Sequence, residues 1–114
     1  MLGLKHAFRG VFLMFRSERN FKIQFLLFII LCITCQILEI SPIEWAILLT
    51  LSAVVFSLEV INSAIEKTCD SITEEYSSKI KDIKDISAAA VLIAAVFSAI
   101  IALIILLPYI GKLF

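Results

Sequence analysis

Residues 57–85 read SLEVINSAIEKTCDSITEEYSSKIKDIKD, and the first half of the stretch sets Glu59, Asn62, Glu66 and Asp70 inside or at the end of an apolar run. On a helix turning about 100° per residue these four fall at about 0°, −60°, −20° and +20°, a stripe roughly 80° wide with Ser63 on its border. A carboxylate in a membrane-like segment costs ~2.5–3.5 kcal/mol on insertion scales, so a chain that aligns several on one face is expected to use them. That stripe is the candidate active site.

Working outward, the 114 residues are 61% hydrophobic with a mean hydropathy of +1.06, which marks a membrane protein rather than a soluble one. The length suits a single domain, residues 1–114. Ten basic and ten acidic residues cancel, and no nucleic-acid partner is expected. Placement matters more than the sum, because Lys5, Arg9, Arg16, Arg19 and Lys22 all precede Phe25. Cys32 and Cys35 have CxxC spacing, but they lie in a continuous apolar run with no His nearby, so they read as small buried hydrophobes, not as a zinc or redox pair. Cys69 makes an odd count, which gives no disulfide framework.

Upstream, Leu4, Phe8, Val11, Phe12 and Phe15 recur at helical spacing beside Lys5, Arg9 and Arg16. This pattern suits a helix over about residues 1–20 lying in the membrane surface, although Leu13 and Met14 fall outside its apolar stripe. The basic part is too long for a signal peptide and no small-residue cleavage site follows it, so the segment is expected to be retained. Spans are expected at about 23–40, 43–65 and 86–110. Ser41 and Pro42 turn the chain between the first two, and Pro108 and Gly111 end the third. The connection after the first span holds no Lys or Arg, whereas that after the second holds Lys67, Lys79, Lys81 and Lys84. The positive-inside rule then makes the N-terminus and the 67–85 segment cytoplasmic, with Glu18, Glu59, Glu66, Asp70, Lys84 and Asp85 near one interface.

Glu59 lies about 10 Å deeper than Glu66, so the two are suited to different work. A carboxylate at a wet helix end is a hard-oxygen ligand for Mg²⁺, which takes one or two carboxylates plus substrate phosphates. A deeper, desolvated one suits a general base toward a lipid hydroxyl. Lys84 beside Asp85 adds a point charge for phosphate. The chain holds neither GxxxxGK[ST] nor GxGxxG, which excludes P-loop and protein-kinase types. Plainer readings stay open from the residues alone. Asp70 can be a solvated helix end, Glu59 a structural interhelical bond, Asn62 a packing amide, Glu18 a surface partner of Arg19, and His6 an interfacial residue. A small transporter whose carboxylates carry ions, or a packing scaffold, is the alternative of another class.

LEVINSAIEKTCD followed by EEY and KDISAAAVLIA, with SERNFKIQ and SPIEW upstream, closely resembles the small bacterial integral-membrane lipid kinases, the diacylglycerol kinase and undecaprenol kinase family. The resemblance covers nearly the whole chain. It implies an all-α membrane fold with a surface helix and three spans, a homotrimer with a site shared between neighbours, and transfer of the γ-phosphate of MgATP to a membrane lipid alcohol. By matching positions it implies that Glu59 is the catalytic base with Asn62 beside it, that Glu18 and Glu66 hold Mg²⁺ and meet the nucleotide, and that Lys84, Asp85, Glu75, Tyr76 and Ser77 contact the nucleotide. Asp70 matches the acidic residue at the helix end, and His6 falls where a nucleotide-side aromatic occurs. Ser77, where the family often has His, and Ser87 with Ala88, in place of a Gly-containing pair, are departures. ERNFK and IEW look more like the undecaprenol branch than the diacylglycerol branch.

Overall fold

A computed structural model describes residues 2–72, 75 and 77–114. It is built of four helices, α1 (Leu2–Ser17), α2 (Arg19–Leu38), α3 (Pro42–Ile72) and α4 (Ser78–Gly111), with no strand among the described residues. The last three are long and apolar enough to cross a membrane. At about 1.5 Å per residue, α3 and α4 run to about 46 and 51 Å, well beyond a hydrocarbon core of about 30 Å. The excess carries the polar end of α3 and the polar start of α4 past the apolar zone.

A single residue, Glu18, breaks the helix between α1 and α2, with extended backbone at φ −107° and ψ 107°. Ser17 prepares the break by turning its Oγ back onto the Leu13 carbonyl at 2.7 Å, a local bond that competes with regular helix. Phe15 and Phe21 then meet edge to face across the bend, ring centres 4.9 Å apart, and Phe21 continues to Phe56 of α3 at 5.5 Å. Phe25 and Phe28 complete the cluster. Such pairs contribute about 0.5–1.5 kcal/mol each beyond area burial, so the bend at Glu18 is held by packing on both sides.

The apolar stripe of α1 faces outward, with Leu4, Phe8, Val11 and Phe12 all exposed, as a surface helix needs. Met14, off that stripe, is the residue that α1 buries. The helix thus has a lipid-side face and a separate protein-side contact, which is why its periodicity is imperfect.

At the other end α2 stops at Leu38, two residues short of the expected span. Glu39 takes the left-handed conformation (φ 53°), and its N–H and that of Ile40 close on the Gln36 and Cys35 carbonyls. A capping box starts α3: the Ser41 N–H donates to Glu44 Oε1 at 3.0 Å and the Glu44 N–H to Ser41 Oγ at 3.2 Å. Pro42 sits at the first helical position, where its missing N–H costs nothing. Ile40 and Trp45, flanking the cap, pack in one cluster with Cys35, Leu48 and Leu106. Pro108 does not end α4. The helix continues through it to Gly111, and Tyr109 on that last turn donates its hydroxyl hydrogen bond to Glu44.

Candidate active site

Of the aligned polar residues of α3, Glu59 and Asn62 are buried with neighbouring Ser63, Glu66 is half-buried and Asp70 is exposed, while much of the chain's apolar surface is open. Glu59, Asn62 and Ser63 are 8%, 8% and 4% exposed, whereas Phe97 and Leu92 of α4 are 61% and 64% exposed. Burying polar groups while exposing apolar ones is the arrangement a bilayer permits and water does not.

Two of the buried polar residues of α3 meet partners from elsewhere in the chain, and the third bonds along its own helix. Gln24, on the second turn of α2, donates from Nε2 to Glu59 Oε2 at 3.0 Å. Ser63 donates from Oγ to Glu18 Oε1 at 2.7 Å. Asn62 donates from Nδ2 to Glu66 Oε1 at 3.4 Å, one turn along the same helix. Adjacent residues of α3, Ser63 and Asn62, therefore tether Glu18 and Glu66. Glu18 occupies the N-cap position of α2, yet its side chain makes no capping bond. The carboxylate goes to Ser63 and to the Lys67 ammonium at 3.2 Å instead. The hydrogen bond from Ser63 holds the Glu18 carboxyl below the ordinary carboxylate range against the opposing effect of burial, and Lys67 adds to the lowering.

Two buried atoms in this group have no hydrogen-bond partner among the described residues, Asn62 Oδ1 and Gln24 Oε1. Buried polar atoms are nearly always paired, so these two acceptors leave hydrogen-bonding capacity that the described residues of one chain do not fill. The donor set there, carboxylate and amide oxygens, is the hard-oxygen type that suits Mg²⁺. Among the described residues no three His, Cys, Asp or Glu side chains converge on one metal position.

Beyond the carboxylates, Lys84 of α4 pairs with Asp70 of α3 at 2.6 Å, and Lys81 with Asp85 at 2.6 Å within α4. Lys84 also feels the charge of Glu66, so it belongs to the same end of the site. Ser77 serves as N-cap of α4, accepting from the Ile80 N–H at 3.4 Å. Glu75 lies exposed in the connection between α3 and α4, and the expectation for Tyr76 falls outside the described residues. His6 is exposed on α1, roughly 18 Å along the helix from Glu18, and the structure does not bring it to the carboxylates. On the apolar side of Glu59 a cavity of about 240 Å³ opens between α2, α3 and α4, walled by Leu27, Phe28, Leu31, Val55 and Phe56, and Gln24 lines it too. Gln24 and Lys67 carried no role in the sequence reading. Their signal is a partner 35 or 49 positions away, which no periodicity displays.

Three helices long and apolar enough to cross a membrane, with Glu59, Asn62 and Ser63 buried among them, are the build of an integral-membrane protein. Residues 5–106 match the family described as prokaryotic diacylglycerol kinase, and the chain belongs to that family. Undecaprenol kinase of Bacillus subtilis is 43% identical over 103 residues, covering 90% of this chain and 84% of that protein. Diacylglycerol kinase of Synechocystis sp. is 31% identical over 109 residues, 95% of this chain and 62% of that protein. Diacylglycerol kinase of Pseudomonas aeruginosa is 30% identical over 89 residues, 78% of this chain and 72% of that protein. The chain is accordingly a membrane lipid kinase, a phosphotransferase with an alcohol acceptor, and ATP is its phosphate donor.

Proposed function

We propose that the protein is an undecaprenol kinase that moves the γ-phosphate of ATP, with Mg²⁺, onto the hydroxyl of the polyprenol at the cytoplasmic face of the membrane. The observation that carries this reading is Glu59. It is buried on a membrane-spanning helix, it receives a hydrogen bond on Oε2 from Gln24, and it stands one turn from Asn62, whose Oδ1 is unpaired, and from Ser63, which holds Glu18. With Oε2 engaged, Oε1 is the oxygen left to take the acceptor's proton. The apolar cavity that Gln24 also lines gives the lipid tail next to that hydroxyl a place to lie.

Glu18 and Glu66 would hold Mg²⁺, with Asn62 Oδ1 a further oxygen donor. The bound ion supplies charge neutralisation and alignment of the phosphates, which phosphoryl transfer needs more than covalent chemistry. Lys84 exchanges Asp70 for phosphate oxygens, and Asp85, Glu75, Tyr76 and Ser77 lie toward the nucleotide. Asp70 and His6 keep supporting places at the edge. The distribution of Lys and Arg supports a cytoplasmic N-terminus and site. The wide exposed apolar surface supports assembly with further copies, and a homotrimer with the site completed by a neighbour is our reading.

The 43% identity to an undecaprenol kinase supports the polyprenol. The diacylglycerol kinases at 31% and 30% keep diacylglycerol, giving phosphatidic acid, as the second reading. The test is to supply the purified protein in mixed micelles with γ-labelled ATP, Mg²⁺ and either lipid, and to separate the products by chromatography. Faster labelling of undecaprenol is expected. Faster labelling of diacylglycerol moves the protein to the second reading, and label in neither lipid from a folded sample overturns both.

A further inference from the structure

Lys67 has a position that neither the spans nor the proposed chemistry requires. It follows Glu66 in sequence, yet its Nζ crosses to α2's start and lies 3.2 Å from Glu18 Oε1. That oxygen is the one already accepting from Ser63 Oγ at 2.7 Å, and Nζ also reaches Ser17 Oγ at 3.4 Å. A proposed metal ligand is therefore paired with a lysine of the next helix.

The physical reason is charge balance. Glu18 and Glu66 lie at the same end of the bundle, and the Lys67 ammonium balances the charge of Glu18 there. The pair is weakly held, because the lysine side chain is 57% exposed and Glu18 27% exposed, and ion pairs at such exposure contribute little. A divalent cation is a stronger partner for a carboxylate oxygen than an exposed ammonium, so Glu18 would give up Lys67 if it held one. The freed ammonium remains rooted next to Glu66, where the phosphates carried on the same metal arrive, and it then acts as a flexible point charge for them.

We propose that Lys67 is a phosphate-binding residue, stored on Glu18 in the nucleotide-free enzyme and transferred to the triphosphate of ATP when a divalent cation occupies Glu18. This rests on the reading of Glu18 and Glu66 as the metal ligands of a kinase. It has a thermodynamic consequence. Metal alone must break the ion pair without compensation, whereas metal with nucleotide gives the lysine a new anion, so each ligand favours the other.

The test uses the full chain in detergent micelles and two binding measurements, Mn²⁺ alone by electron paramagnetic resonance and a non-hydrolysable ATP analogue in Mg²⁺ at equilibrium. In Lys67→Met, Mn²⁺ alone is expected to bind about three-fold tighter, the worth of an exposed ion pair. The nucleotide is expected to bind about ten-fold weaker, the worth of a hydrogen bond to a charged group. Lys67→Arg should recover nucleotide affinity. Opposite movement of the two affinities separates a charge that acts on both ligands from a lysine that only packs, and a nucleotide loss near ten-fold that persists at high salt separates direct contact from charge at a distance. If both weaken together, or neither changes, the proposal is overturned while lipid phosphorylation by the unaltered protein leaves the kinase reading standing. Absence of saturable Mn²⁺ and nucleotide binding by the unaltered, folded protein overturns the metal assignment and the proposal with it.

Discussion

Glu44 stands on the first turn of α3 and Glu59 just past the middle of the same helix, and the fold satisfies them in opposite ways. Glu44 accepts from the Ser41 N–H and the Tyr109 hydroxyl while its own N–H closes the capping box, so the turn from α2 to α3 and the end of α4 are tied through one carboxylate. Glu59 is buried more deeply and has the Gln24 amide on one oxygen, beside two acceptors left without partners. A carboxylate whose partners all come from the fold does structural work. A buried one surrounded by unfilled hydrogen-bonding capacity is prepared for something the chain does not contain.

Exchanging charge for amide at each position gives the sharpest separation. Glu59→Gln is expected to lower turnover by about 10³-fold, the scale of general-base catalysis, with MgATP binding largely kept. Glu66→Gln should weaken MgATP binding as well. Glu44→Gln should leave lipid phosphorylation intact and lower the thermal unfolding midpoint in micelles. Equal loss of nucleotide binding in the Glu59 and Glu66 variants would remove the division of labour between them.

Next in size is the bond that orients the base. Gln24→Leu keeps the bulk near the cavity but removes the donor to Glu59 Oε2, and a hydrogen bond to a charged group is worth about ten-fold in rate or more. Turnover is expected to fall by about that factor with the Michaelis constant for ATP unchanged, and Gln24→Asn to recover only part of it because the shorter side chain reaches less far. A rise in the ATP constant instead would place Gln24 with the nucleotide.

The two regions also differ in how far the amino-acid sequence discloses them. The stripe Glu59, Asn62, Glu66 and Asp70 is legible because all four share one helix and its 3.6-residue period orders them. The turn at Ser41 and Pro42 is legible because cap chemistry is local. Gln24 on Glu59, Glu18 on Ser63 and Tyr109 on Glu44 are not, since each joins residues 35 to 65 positions apart, and only the packing of separate helices makes them neighbours. Met14 is hidden for a related reason: a helix between lipid and protein carries two apolar faces, and a search for one stripe counts the second as noise.

A smaller effect is expected at the closed end. Tyr109→Phe deletes a hydroxyl and little else, leaving Glu44 with its cap but without its tie to α4. The unfolding midpoint should fall by a few degrees with turnover unchanged. A loss of turnover would mean that the far end of α4 is coupled to the site, and the contrast between a structural and a functional glutamate would no longer divide along the helix.

The smallest effect concerns Glu18, the carboxylate shared between fold and site. Its carboxyl lies below the ordinary value because of the Ser63 hydrogen bond, opposed by burial and reinforced by the Lys67 hydrogen bond and charge. A carboxyl that binds its proton less readily folded than unfolded makes stability rise with pH across that interval. Its contribution is therefore complete above the ordinary carboxylate value and is lost as pH falls through the folded one. The metal-free protein should unfold more easily as pH is lowered from about 5 toward about 3, by a modest amount because Glu18 is partly exposed to solvent. Other carboxylates titrate over the same range, so the informative quantity is the difference between variants. Ser63→Ala should flatten the dependence more than Lys67→Met does, because the buried hydroxyl is the larger cause and the lysine is screened. If Lys67→Met flattens it more, Glu18 is held chiefly by charge, and the open end of the bundle is then governed by exchangeable ion pairs rather than by its buried hydrogen bonds.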